Sequence, residues 1–281
     1  MKILKNENLS KYTTVRIGGT AETFCIPESR EELVTLIAEQ KPEFFIGGGS
    51  NLLIAERSFP LVVSLRQFDK ELSFLGEGHF RAGASVRLQK LIDFINQNGC
   101  GGIEYLYSVP GLVGGAVVMN AGRGRKFKKC ISDYLLSVTV LKIPENCIVH
   151  MTKEECGFSY RNSVFKNNSD MLVLEAEFQF PVQSEAESLR LKNERLTLCR
   201  NVQDNSKANF GTVFCSADSR IMKLVQKTGL HSGNVSFSKK TSNWILSDKG
   251  SFEDAVKVIS KVQKLHRIAG KKAVPEVIIW K

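Results

Sequence analysis

The sequence predicts an α+β protein built in three consecutive parts, and three observations predict it. Strand and helix signals alternate through residues 1–66, as in a small α/β unit. Long strands dominate residues 67–182 and imply a mostly antiparallel sheet. Residues 183–281 return to helices separated by short strands.

In the first part, 22–26 and 43–47 read as strands. Ser29 and Glu32 have the spacing of a capping box, opening a helix that runs to Gln40. "LVVSL" at 61–65 reads as a buried strand. In the second part, 79–84 is a strand. Apolar residues at 88, 91, 92 and 95 recur at the helical period, and Gly99 is suited to end that helix. Strands at 134–143, 147–151 and 171–180 follow a glycine-rich stretch, 99–124. The third part opens with a charged helix at 183–201 that links it to the rest. A polar run at 204–216 ends in a strand, and a helix at 218–228 stops at Gly229. Strands lie near 233–237 and 243–246. Ser251, with Asp254 three residues on, opens a helix at 252–269 closed by Gly270, and "EVIIW" is a final β run.

Composition narrows the function. The 281 residues are 42% hydrophobic and 24% charged, enough for a sizeable core. The sequence has no 18-residue apolar run and no apolar leader at its N-terminus, so neither a membrane span nor a secretion signal is expected. Seven cysteines without a C-x-x-C argue against a disulfide frame or a zinc site and for the reducing cytoplasm. The four histidines are scattered, so no metal centre is expected. A net charge of +10 favours anionic partners. The densest basic run, "RGRKFKK" from Arg123 to Lys129, carries only Phe127 as an aromatic. It reads first as a solvated basic turn and second as a phosphate-steering patch, rather than a nucleic-acid surface.

Two glycine segments carry the chemistry. "FIGGGSNLLI", Phe45 to Ile54, matches neither common phosphate loop. It lacks the Walker Lys, and Leu52 stands where a Rossmann fingerprint needs its third glycine. Gly47, Gly48 and Gly49, with Ser50, Asn51 and Leu52, still offer backbone N–H groups at close approach. The second segment, "SVPGLVGGAVVMNAG", turns at Pro110-Gly111 and loosens again at Gly114-Gly115. Two such loops, both free of charged side chains, suit an extended dinucleotide held at two places; either alone reads rather as a tight turn in a packed protein.

"TTVRIGG" (13–19), "IGGGSNLL" (46–53), "GIEYLYSVPGLVGGAVVMNAG" (102–122), "YRNSVFK" (160–166) and "PEVIIW" (275–280) stand in one order along the chain. "NFGTVFC" (209–215) matches more loosely. In this ordered set the chain resembles the shorter form of the UDP-N-acetylenolpyruvoylglucosamine reductases, flavoenzymes of early peptidoglycan synthesis. The resemblance implies an FAD-binding two-domain unit of the vanillyl-alcohol-oxidase type, residues 1–66 and 67–182, and a C-terminal substrate-binding domain, 183–281. The last strand would return Glu276 to the active site. It implies non-covalent FAD, NADPH as co-substrate, and UDP-N-acetylglucosamine enolpyruvate as the substrate. Hydride would pass from flavin N5 to C3 of the enol ether and a proton to C2, giving UDP-N-acetylmuramate for the cell wall that sets cell shape and division. A cytoplasmic monomer, bound neither to nucleic acid nor to membrane, is expected.

The site residues follow residue by residue. Ser108, Pro110, Gly111, Gly114, Gly115, Asn120 and Gly122 join Gly47 to Leu52 as expected FAD contacts. Charge developing on C2 and its carboxylate calls for a fixed cation, and Arg161 supplies one with a carboxylate-matching fork. Glu276 matches the family's catalytic glutamate; to polarise an enolate it must carry a proton or a bridging donor. Thr212 stands where the family has serine or cysteine as the proton donor to C2. Cys215 is the rival, and strand alternation would point the two opposite ways. Tyr160 would line the substrate pocket. By themselves, Arg161 reads as a surface ion pair, Glu276 as solvated and Tyr160 as a core aromatic. The alternative enzyme is an FAD-dependent oxidase or dehydrogenase of the same fold acting on another substrate. A basic nucleic-acid binder without flavin is the reading from a different class.

Overall fold

A computed structural model describes residues 1–123 and 128–281. The basic run is therefore only partly described, and Phe127 lies outside the described residues. The chain forms two compact units that interleave along the sequence. One comprises Met1–Leu4, Phe24–Gly48 and Leu61–Cys199; the other comprises Lys5–Thr23, Gly49–Pro60 and Arg200–Lys281.

The first unit is built on a five-stranded antiparallel sheet. Its order is Leu72–Gly76, His79–Gly83, Met171–Gln179, Leu135–Lys142 and Cys147–Thr152. Alternation along Met171–Gln179 buries Leu172, Leu174, Ala176 and Phe178 on one face. Phe80, Phe178 and Phe180 gather there with ring centroids 5.6–5.8 Å apart. The helix Leu88–Gln97 lays Leu88, Leu91, Ile92 and Ile95 into the same core, as its period predicts. Each such side chain is worth about 1.5–3 kcal/mol when fully buried. The helix Arg30–Gln40 starts at Ser29, whose hydroxyl accepts from Glu32 N. The reciprocal half of the expected box differs: the Glu32 carboxylate takes Glu28 N instead. Strand Phe44–Ile46 runs parallel to the inner half of Ser58–Ser64 and ends at the first glycine loop.

In the second unit, His231–Ser232, Val235–Phe237 and Ile245–Ser247 form a three-stranded antiparallel sheet. The helix Phe252–Ile268 covers it through Ala255, Val258, Ile259 and Val262. Ser251 caps that helix by accepting from Asp254 N, as expected from its spacing. Gly229 (φ +62°) and Gly270 (φ +66°) end their helices in the left-handed conformation.

The final β run is two short strands with different partners. Val274–Pro275 pairs antiparallel with Phe214–Ser216, and Ile278–Trp280 pairs parallel with Leu52–Ile54. Glu276 sits at the break between them.

The second glycine segment corrects the sequence reading. Gly114 and Gly115 lie inside a short helix, Val113–Val118, rather than in an opened loop. The reason is close packing. Gly114 N donates to Ala84 O at 3.0 Å, and a Cβ on Gly114 would come within 2.9 Å of the Ala84 Cβ.

Candidate functional site

The first glycine loop holds its carbonyls and presents its amides. Arg66 donates from Nε to Gly47 O (2.9 Å) and from Nη2 to Gly48 O (3.2 Å). Thr14 N donates to Gly49 O at 3.1 Å. All peptides are trans, so each following N–H points away from its pinned carbonyl. The N–H groups of Gly48, Gly49 and Ser50 thus face away from these clamps, and none bonds to a described residue. Three successive N–H groups without partners among the described residues are available to an anion. Gly49 is required here. Its φ is +66°, and an added Cβ would lie 1.9 Å from Tyr12 O.

Asn51 and Leu52 tie the loop to the last strand of the chain. Asn51 Nδ2 donates to Glu276 O (3.1 Å), and Asn51 O accepts from Ile278 N (3.0 Å). Leu52 is buried and pairs with Ile278.

The two glycine loops meet. A Cβ on Gly48 would stand 3.4 Å from Gly111 Cα and 3.6 Å from Pro110 O. The second loop is laced to the strand end before the helix Leu88–Gln97: Leu88 N donates to Gly111 O and Val113 N to Val86 O. Its entry is held by Glu104, 2% exposed, which accepts from Gly102 N (3.0 Å), Asn96 Nδ2 (2.8 Å) and Gln183 Nε2 (2.9 Å). Ser108 Oγ accepts from Arg195 Nε at 2.8 Å.

Asn120 and Gly122 connect this loop to the segment carrying Tyr160 and Arg161. Asn120 is buried; its Nδ2 donates to Ser159 O (2.9 Å), and its Oδ1 accepts from Ser132 N (3.3 Å). Arg161, in the left-handed region at φ +55°, donates from Nη2 to Gly122 O at 2.9 Å. Its guanidinium stands 6.0 Å from the centre of the Tyr160 ring. The structure therefore gathers Arg161, Tyr160, Asn120 and Gly122 within one unit.

Thr212 and Glu276 are brought together in the other. Glu276 N donates to Val213 O at 2.7 Å. Asn243, itself at φ +59°, clamps the same stretch. Its main-chain O accepts from Val213 N (3.1 Å), its Oδ1 accepts from Phe214 N (3.0 Å), and its Nδ2 donates to Phe214 O (2.8 Å). Thr212 is exposed and forms an isolated antiparallel bridge with Trp244. Cys215 lies in the strand proper and directs its Sγ at Val274 O, 3.5 Å away.

Sequence reading missed Arg66, Glu104, Asn243 and Arg195. Their signal is a partner far away in sequence, which neither spacing nor periodicity encodes. A cavity of about 490 Å³ in the second unit, lined by Arg16, Glu56, Lys207 and Lys249 among others, contains none of the expected site residues. Among the described residues no cluster of three or more His, Cys, Asp or Glu could hold a metal. No helix among them is long and apolar enough to cross a membrane.

Gly115 offers a separable test of the cradle. It is an exposed helical glycine, and a Cβ there would meet nothing within 4 Å. Gly115→Ala should therefore stabilise the flavin-free chain by about 0.5–1 kcal/mol. If a ligand lies on this open side, the same variant retains less flavin. A thermal melt of stripped protein and the flavin absorbance after purification read the two effects apart; unchanged flavin retention would remove Gly115 from the site.

Comparison with known proteins bears on the family and the fold. An FAD binding domain family matches residues 21–152. The chain is 31% identical over 273 residues to the UDP-N-acetylenolpyruvoylglucosamine reductase of Synechocystis sp., covering 91% of this chain and 83% of that protein. Identity to the protein of the same name from Carboxydothermus hydrogenoformans is 32% over 273 residues, covering 94% and 88%. The crystal structure of UDP-N-acetylenolpyruvylglucosamine reductase from Thermus caldophilus superposes with a TM-score of 0.81 at 26% identity, covering 100% of this chain and 98% of that one. A 6-hydroxy-D-nicotine oxidase from Arthrobacter nicotinovorans shares the fold at a TM-score of 0.50 and 16% identity, over 64% of this chain and 42% of that one.

Proposed function

The chain belongs to the UDP-N-acetylenolpyruvoylglucosamine reductases, and on that premise we propose how its own residues carry the reaction of that family. The reaction reduces UDP-N-acetylglucosamine enolpyruvate to UDP-N-acetylmuramate in peptidoglycan synthesis. We take NADPH as the reductant and FAD as non-covalently held. When bound, the flavin supplies hydride from N5 to C3 of the enol ether.

The observation that carries this reading is the first glycine loop. Its carbonyls are clamped by Arg66 and Thr14, while the N–H groups of Gly48, Gly49 and Ser50 make no bond to the described chain. That donor set fits a pyrophosphate and needs no lysine. Gly111, Pro110 and Gly115 line the continuation of the cradle. We read 1–66 and 67–182 as its two subdomains and 183–281 as the substrate-binding domain.

Arg161 steadies the substrate carboxylate as charge develops on it. Its permanent cation suits that task, and the bond to Gly122 O holds the fork in place. Thr212 delivers the proton to C2. Glu276 polarises the developing enolate, its main chain tied on the N–H side to Val213 and on the C=O side to Asn51. Tyr160 lines the pocket beside Arg161. The seven free cysteines support a reducing, cytoplasmic setting, and we take the working form as a monomer.

Purified protein should be yellow. Anaerobic NADPH should bleach it, and the enolpyruvyl UDP-sugar should restore the colour with release of UDP-N-acetylmuramate. A colourless chain that cannot take up FAD would overturn the cradle. A yellow chain whose reduced flavin ignores that substrate would favour a same-fold oxidase or dehydrogenase instead.

A further inference from the structure

Thr212 stands just ahead of a very short strand. The pairing of Phe214–Ser216 with Val274–Pro275 begins two residues after it. Thr212 is bridged antiparallel to Trp244, and Val213 N donates to Asn243 O at 3.1 Å. A ladder continued in that register would set Phe214 opposite Ser242. The chain instead turns away at Asn243, in the left-handed region at φ +59°. The Asn243 side chain takes the place of the missing peptide group. Its Oδ1 accepts from Phe214 N (3.0 Å), and its Nδ2 donates to Phe214 O (2.8 Å).

Few residues can do both. Asparagine tolerates the left-handed conformation and carries an amide, with the acceptor and donor that a peptide offers. Glycine would accept the turn and supply no amide. Phe214 is 2% exposed, so its N–H and C=O need these partners. Glu276 is held from a second direction, by Asn51 Nδ2 on its C=O. Thr212 has less. Upstream, Asn209 Oδ1 accepts from Gly211 N (3.2 Å), but Gly211, at φ +78°, is a joint with no side chain to pack. The Asn243 amide therefore fixes the residues that follow Thr212. Beside it, Trp244 is anchored by its Nε1, which donates to Asp204 O at 2.9 Å.

We propose that Asn243 is a positioning residue for proton delivery: its amide, acting as a substitute peptide, sets where the Thr212 hydroxyl stands. This rests on the donor role given to Thr212 under the proposed function. Asn243 touches no reacting atom in this proposal, so its loss acts through Thr212.

The test is a double-substitution cycle on the full flavin-loaded chain, read by anaerobic stopped-flow. Asn243→Gly keeps the backbone turn and the bond from Val213 N, and removes the amide. It should slow reoxidation of the reduced flavin by the enolpyruvyl UDP-sugar about 10–100-fold, the scale of a displaced group. Bleaching by NADPH and the dissociation constant of the substrate should stay within about twofold. Placed on Thr212→Val, the same change should slow the residual rate by less than about twofold, because the hydroxyl it displaces is already gone. A purely structural role would slow both backgrounds alike. Asn243→Asp also tolerates the turn, keeps the acceptor for Phe214 N and loses the donor for Phe214 O. It should fall between glycine and wild type, and it replaces Asn243→Gly in the cycle if the glycine variant does not fold. Reoxidation at the wild-type rate by the variant used, or equal slowing in both backgrounds, overturns the proposal alone. A wild-type chain whose reduced flavin ignores the substrate, or Thr212→Val at full rate, instead overturns the proposed function or its donor, and this proposal with it.

Discussion

Thr212→Val should lower turnover by about 10²–10⁴-fold, the range of a lost general acid, while NADPH still bleaches the flavin at the wild-type rate. Valine copies the shape of threonine and removes only the hydroxyl, so the loss isolates a proton. The surroundings favour a clean result. Thr212 is exposed, and the backbone just after it is fixed independently of its side chain by Asn243 and by Glu276 N. Thr212→Ser should restore most of the rate. Cys215→Ala should change little, since that thiol already points at Val274 O. Anaerobic stopped-flow separates the two half-reactions. Full turnover by the valine variant, or a collapse confined to Cys215→Ala, would move the donor away from Thr212.

Gly49→Ala should give a chain both colourless and less stable by about 2–4 kcal/mol. A side chain at φ +66° is strained by itself. Here it would also drive into Tyr12 O, 1.9 Å from the ideal Cβ, and push apart the bond from Thr14 N to Gly49 O. Neither neighbour can swing aside, because both are backbone. Gly48→Ala is the companion. Its Cβ would make only ordinary contacts at 3.4–3.6 Å with Gly111, Leu112 and Pro110, so it should fold. It would still narrow the gap between the loops and lose flavin. Chemical denaturation and flavin absorbance on the pair tell folding from binding. A yellow, fully stable Gly49→Ala protein would show that the loop is neither strained nor in the site.

Much of this architecture is legible in the sequence because the deciding forces are local. Ser29, Ser251, Gly229 and Gly270 mark helix ends through their own backbone and side-chain chemistry. The long strands of the first unit announce themselves by alternation. The strand Lys2–Asn8 does not, since "KILKNEN" buries none of its side chains. The helix Val113–Val118 is hidden because glycine lowers helix propensity, while its real warrant is a close approach to Ala84. At the site, the glycine loops, Arg161, Thr212 and Glu276 stand out by type and order. What holds them does not. Arg66 clamps carbonyls 18 and 19 residues upstream, and Asn120 ties down Ser159, 39 residues on. Such pairings are written in the packing of elements, and a single sequence read locally carries no trace of them.

The strand that changes partners at Glu276 also bears on how the protein is made. Asn51 and Glu276 are 225 residues apart. A ribosome adding about 5–20 residues per second needs roughly 10–45 s to travel that distance. Through that interval Leu52–Ile54 has been synthesised without the strand beside which it will lie. This apolar edge must be kept from pairing elsewhere until the chain is nearly finished, so expression yield should respond to translation speed and to chaperone supply more steeply than the stability of the finished enzyme would suggest.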